Sequence, residues 1–224
     1  MIFGSLDQLP FRLLALLIAI TLHEASHAAA AYLQGDFTAR RLGRLTLNPI
    51  RHMDPLGTLL IVFVGIGWGK PVPVNALALR RGRQGMGVVA AAGPLSNLAT
   101  AAIAAIPLRL DLVSSPTTHS FTDAISAGPE AFLGALLFFV VAFSIILAVF
   151  NLIPLFPLDG SGVALGILPI RQAREYAKLE KYGPGILMLL IGADFILNVG
   201  ILGAVISPVV NYVGIILLGE RVFG

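Results

Sequence analysis

The sequence predicts an all-α polytopic membrane protein with about five to six membrane segments, one of them a re-entrant, extended β-like stretch near residues 43–75. Three observations lead there. Of 224 residues, 57% are hydrophobic and 12% charged, a balance that excludes an ordinary soluble domain. Residues 86–108 and 131–158 carry no charge, and between 13 and 33 the only formally charged side chain is Glu24. These runs are continuous rather than alternating, which excludes a membrane β-barrel.

The elements follow in order. Residues 1–9 form a short, mixed lead without the basic n-region of a cleavable signal. Pro10 suits the first turn of a helix that runs to Leu33 and stops at Gly35-Asp36. Residues 36–57 are polar and basic (Arg40, Arg41, Arg44, Arg51, His52), and 43–49 alternates like a short strand followed by a turn. Residues 58–69 are uncharged but only twelve long, with Gly65, Gly67 and Gly69 against helix, so a re-entrant segment is expected. Lys70-Pro71-Val72-Pro73-Val74-Asn75 must be extended, because its prolines remove backbone donors. Residues 86–108 span, 109–129 form a polar loop and 131–153 span again. The tail at 183–219, apolar around Asp194, holds two short spans or one span plus an interfacial helix. No repeat or appended soluble domain interrupts residues 1–224, so one domain is expected, with its core at about 10–170 and C-terminal membrane segments at about 183–219.

One stretch does not belong in lipid. His23-Glu24-x-x-His27 places two imidazoles about 40° apart on one helix face, with the carboxylate within about 60° of His27. Polar groups at bilayer depth are expensive without a partner or a metal. Two histidines can bind one zinc ion, and the adjacent carboxylate can act as its general base. With no cysteine in the chain, a metal must use His and carboxylate ligands. The bland alternative, a chance pattern on a buried helix, leaves the burial cost unexplained.

The basic residues of 36–57, 80–83 and 171–181 predict that these segments face the cytoplasm. His27 lies about 12 Å from the inner end of its helix, so the motif sits nearer the cytoplasmic side. A catalytic zinc site needs a third protein ligand and an open position. Asp159, in a stretch that Pro154 and Pro157 keep from being regular helix, is the candidate; the alternative is an Asp that only caps a new helix.

With Asn151-x-x-Pro154-x-x-Pro157-Leu158-Asp159-Gly160 beside the first motif, the chain resembles the site-2 protease family of intramembrane zinc metalloproteases. Residues 43–48, His52-Met53-Asp54-Pro55, 67–75 and Ala92-Gly93-Pro94-Leu95-Ser96-Asn97 resemble its short bacterial branch, without PDZ or CBS domains. The resemblance implies one zinc ion held by His23, His27 and Asp159, and Glu24 as general base. It also implies an integral protein of the bacterial inner (plasma) membrane. The expected substrate is a single-span protein or membrane-anchored regulator, such as an anti-sigma factor, or a signal-peptide remnant.

Other residues carry weaker expectations. Asn97 or Asn151 could donate to a tetrahedral oxyanion; either could instead serve an interhelical hydrogen bond. The stretch 65–75, with Gly65, Gly67 and Trp68, could hold an unwound substrate as an added strand, or merely anchor a loop. His52 with Asp54 reads as a loop turn and cap rather than a second metal site. Arg80, Arg81 and Arg83 read as topology determinants touching headgroups, with no nucleic acid as partner. Two rival functions remain. A divalent-metal transporter could use the same His and Asp, but has no use for Glu24. A scaffold with structural zinc would usually close the fourth position with a protein ligand. The oligomeric state is not legible.

Overall fold

The computed structural model describes residues 6–55, 57, 69–113, 120–197 and 200–223. Helix α1 covers Leu9–Leu33, entered through a 3-10 turn at Leu6–Gln8. A single turn, α2, follows at Thr38–Arg41. Then come α3 at Gly82–Arg109, α4 at Phe121–Ala127 and α5 at Pro129–Asn151. The short α6 (Asp159–Ile167) and α7 (Ile170–Ala177) precede α8 (Gly183–Leu197) and α9 (Ile201–Leu218). Among the described residues, four helical stretches are long and apolar enough to cross a membrane: Leu6–Leu33, Gly82–Arg109, Pro129–Asn151 and Ile201–Leu218.

Helix α1 stops where the sequence turns polar. Gly35 has φ +99°, a conformation few side-chain-bearing residues adopt, and the N–H groups of Gly35 and Asp36 close the last turn on Tyr32 and Ala31. Helix α3 is the shared support: α1, α5 and α6 all pack on it. At the end away from the histidines, Phe11 contacts Phe121, Phe132 and Phe139 with ring centroids 5.2, 5.2 and 5.6 Å apart. The Asp7 carboxylate accepts the Phe121 N–H at 3.0 Å and ties the lead to α4.

Gly183 packs directly against Phe156, at the histidine end, whereas Gly219 lies beside Arg109, at the opposite end. Of the two helices between them, α9 is long and apolar enough to cross a membrane, and the 15-residue α8 is a shorter apolar helix. Asp194 accepts the N–H groups of Ile201 (2.5 Å) and Leu202 (3.3 Å), capping α9 across the break. Five to six segments are expected, and four such long helices lie among the described residues. The expected re-entrant stretch at 58–68 lies outside the described residues.

The expected strand at 43–48 does not form. Thr46 Oγ1 accepts the Asn48 N–H and Asn48 Oδ1 accepts the Ile50 N–H, so side chains close local turns into a 3-10 turn at Pro49–Arg51. Among the described residues the only β pairing is an isolated antiparallel bridge between Met53 and Gly69. Residues 70–75 form no helix or strand, in keeping with their prolines, and Asn75 has extended backbone angles (φ −94°, ψ 100°).

Candidate metal centre

His23 and His27 sit one turn apart on α1, 5% and 8% exposed. Their rings meet edge to face with centroids 4.6 Å apart. They face α3 at Gly93, where an added Cβ would lie 2.6 Å from His27 Cε1, 2.7 Å from His23 Cε1 and closer still to His27 Nε2. Only glycine lets the α3 backbone come this near the imidazoles.

Asp159 reaches the pair from α6, as its first residue. The preceding loop is held from α7: Tyr176 Oη donates to the Pro154 carbonyl at 2.7 Å, and its ring packs on Phe156. Helix α6 docks on α3 through small residues, Gly166 against Gly87 and Gly162 against Ala90, so the backbones nearly touch. Arg83, expected among headgroups, instead donates to the Leu165 and Leu168 carbonyls (2.8 Å to Leu168) at the α6 C-terminus, where a cation also suits the helix dipole.

The donor atoms can be assigned from their partners. His27 Nδ1 lies 2.7 Å from the Val89 carbonyl, which can only accept, so Nδ1 carries the proton and Nε2 of the neutral ring keeps a lone pair. Asn97, fully buried, holds His23 Nδ1 at 3.1 Å through its amide, while Asn97 Oδ1 has no partner among the described residues. The flipped amide occupies the same volume, accepts the Nδ1 proton and again leaves Nε2 bare. The two Nε2 atoms are 3.1 Å apart, and Asp159 oxygens lie 3.0 Å from His23 Nε2 and 3.3 Å from His27 Nε2.

Two imidazole lone pairs and a carboxylate converging without a donor repel one another unless a cation joins them. The three edges also match zinc, because tetrahedral ligands at about 2.0–2.1 Å are about 3.3 Å from one another. His23, His27 and Asp159 thus fit a zinc ion with one position left for water, and they form the one such group of His and acidic residues among the described residues.

Glu24 projects to the side of this group. Its Oε1 lies against Gly69, where a Cβ would approach to 3.3 Å, and its carboxylate is in electrostatic reach of the Val72 amide and the Arg44 guanidinium. Residues 69–75 therefore pass directly beside the expected base. The segment is tied at both ends: Lys70 donates to the His52 carbonyl at 2.8 Å, and Asn75 donates to Asp36 Oδ2 at 2.6 Å. Burial pushes the Asp36 carboxyl up, but hydrogen bonds from Thr38 and Asn75 outweigh it and hold the group below the usual carboxylate range.

The two asparagines proposed as oxyanion donors are engaged otherwise. Asn97 orients His23, and Asn151 donates back to Leu147 O on its own helix at 2.9 Å. Gly65, Gly67 and Trp68 lie outside the described residues. His52 and Asp54 are not brought together as ligands. His52 Nε2 contacts the Thr46 carbonyl at 2.8 Å, and Asp54 accepts the Gly57 N–H at 2.8 Å as a turn cap. Sequence reasoning did not single out Gly93, Arg83 or Arg44 for the site. A Gly-Pro pair inside an apolar run was the available signal for Gly93; nothing local marked the arginines as turned inward.

The chain is similar to known zinc metalloproteases. The profile of peptidase family M50 matches residues 11–192. YwhC of Bacillus subtilis, which bears the name of a zinc metalloprotease, is 36% identical over 81% of this chain and 80% of its own length. Rip2 of Mycolicibacterium smegmatis, named in the same way, is 32% identical over 78% of this chain and 64% of its own, under two thirds of that relative. Rip2 of Mycobacterium tuberculosis is 30% identical over 78% of this chain and 63% of its own. No solved structure matches.

Proposed function

Because the chain belongs to peptidase family M50, and is a zinc metalloprotease of the site-2 type, we propose that it hydrolyses a peptide bond within the membrane-spanning segment of an anchored substrate. The observation that carries this is placement: a zinc-compatible ligand set and a carboxylate beside it, on a helix apolar enough to span. His23, His27 and Asp159 would hold the ion. When bound, zinc polarises a carbonyl and makes water a competent nucleophile near neutral pH.

The chain's own residues do the rest. Glu24 takes a proton from the attacking water and delivers it to the amide nitrogen as the C–N bond breaks, leaving a carboxylate and an amine. Val89 and Asn97 keep the Nδ1 sides of both imidazoles occupied, so that Nε2 points into the site. A substrate helix hides its peptide bonds in its own hydrogen bonds and must unwind first. The extended stretch 69–75 then receives it as an added strand beside Glu24. The protein is an integral membrane protein. Arg40, Arg41, Lys70, Arg80 and Arg81 lie at the metal end, which supports a cytoplasmic placement of that end and of the path for water. A membrane-anchored regulator and a signal-peptide remnant both fit such a site. Metal transit gains no support, since no second converging ligand group exists among the described residues.

The test pairs metal content with proteolysis. Wild type, Glu24→Gln and Asp159→Ala are purified in detergent and assayed on single-span substrates with and without chelator. Glu24→Gln is expected to keep zinc and lose cleavage, and Asp159→Ala to lose zinc. A wild type that holds zinc but cleaves no better than Glu24→Gln would sink the proposal.

A further inference from the structure

Arg44 is out of place for a residue of a basic loop. Arg40, Arg41 and Arg51 are exposed, whereas Arg44 is 6% exposed. An arginine that only fixed topology would stay with water and headgroups. Instead Arg44 crosses to the extended segment. Nη1 donates to the Pro71 carbonyl at 3.2 Å and Nη2 donates to the Lys70 carbonyl, while Nε is buried with no partner among the described residues. A buried guanidinium bonded only to neutral carbonyls is costly. The carboxylate in its electrostatic reach is Glu24.

Its two acceptors lie between Gly69 and Val72, the two residues of this segment that meet the Glu24 carboxylate. The His52 carbonyl and Arg44 grip residues 70–71, and Asp36, 1% exposed, grips Asn75. Val72, Pro73 and Val74 hang between these clamps. Among the described residues, no hydrogen bond reaches the Val74 N–H or the carbonyls of Val72, Pro73 and Val74. Pro71 and Pro73 have no N–H and the Val72 N–H is turned to the Glu24 carboxylate, so the open amide donor of this edge is that of Val74. Extended backbone with unspent donors and acceptors, fixed at both ends, is what an incoming strand needs.

We propose that Arg44 is a positioning residue for the substrate: by holding the Lys70 and Pro71 carbonyls it sets the register of the 72–74 backbone against Glu24, and so the peptide bond that is presented. This rests on the strand-addition reading above. The ligands His23, His27 and Asp159 do not touch Arg44, so its loss acts on substrate binding rather than on the metal.

The full chain in detergent carries the test. Affinity for a labelled single-span peptide is measured in Glu24→Gln with and without Arg44→Gln, and kcat and KM are measured in Arg44→Gln and Arg44→Lys alone, with zinc per chain throughout. Arg44→Gln is expected to keep zinc, to raise both Kd and KM about tenfold or more, and to shift the cleavage position; the loss falls on KM more than on kcat. Arg44→Lys recovers only part, because it lacks the planar fork that spans two carbonyls. Unchanged Kd and KM, a loss in kcat alone, or loss of zinc would each overturn the inference. If Arg44→Gln does not fold, Asp36→Asn tests the other clamp, and an unchanged Kd there overturns it equally. A wild type that cleaves through Glu24 while Arg44→Gln matches it refutes this inference alone; a wild type that cleaves nothing refutes the proposed function.

Discussion

Replacing Gly93 by alanine adds one methyl group where there is no room for it. The new Cβ would stand 2.6 Å from His27 Cε1 and 2.7 Å from His23 Cε1, against about 3.5–4.0 Å for an ordinary carbon contact. Something must retreat by about 1 Å. Helix α3 cannot back away freely, because α5 packs on it and Gly87 already touches Gly166 of α6. The rings must turn instead, and His27 then leaves the Val89 carbonyl that fixes its proton. The Nε2 to Asp159 separations of 3.0 and 3.3 Å open by a comparable amount, whereas zinc–ligand distances tolerate about 0.2 Å. The expected outcome is zinc affinity weaker by about 10–100-fold or more, or about 1.4–2.7 kcal/mol. Overpacking adds about 1–3 kcal/mol of lost stability. Competitive titration against a chelator reads the affinity, with Leu95→Ala, on the exposed side of the same helix, as control. A zinc Kd for Gly93→Ala within about twofold of wild type would show that Gly93 does not set the imidazoles' position.

Other outcomes follow from the same geometry. Asn97→Ala should weaken zinc binding by about 10–100-fold, with Asn97→Asp, which still accepts from Nδ1, recovering most of it; equal affinity in Asn97→Ala and wild type would contradict the orienting role. Arg83→Ala should free two carbonyls at the α6 C-terminus and cost about 1.5–3 kcal/mol in a denaturation midpoint assay, and a neutral result would mean that water replaces the guanidinium fully. For Asp36 the folded carboxyl lies below its ordinary value, so its contribution is fully present above about pH 4 and is lost as pH falls through the lower folded value. Hydrogen exchange at residues 70–75, corrected for intrinsic rate, should therefore rise on acidification in wild type. The step should be absent in Asp36→Asn, and its persistence there would assign it to another group.

The long helices were legible because lipid imposes a simple rule. The stretches 13–33, 86–108 and 131–153 foretell α1, α3 and α5 within a few residues, since each must hide its own backbone polar groups. The histidine motif was legible for the same reason, as charge and imidazole stand out against an apolar run. Asp159 needed two motifs together, because an Asp before a helix reads locally as a cap. What escaped was set by contacts between distant segments. Arg44 and Arg83 look like surface charge until the carbonyls they serve, 26 or more residues away, are in place. The alternation at 43–48 suggested a strand, but Thr46 and Asn48 satisfy the backbone locally and leave no partner edge to pair with.

The shared support of α3 has a mechanical consequence. His23 and His27 are set by Val89, Gly93 and Asn97, and Asp159 is set by α6 lying on Gly87 and Ala90. All of these belong to one continuous helix, so the three ligands move as a single body. Under the proposed function, a substrate helix about 10 Å across could not be admitted by parting α1, α3 and α6 without dismantling the ligand set. Admission must fall to parts that carry no ligand: the clamped stretch 69–75, or α8, which is joined at Gly183 and leads on to α9. The ligand set and the pieces of chain that carry no ligand are thus built separately.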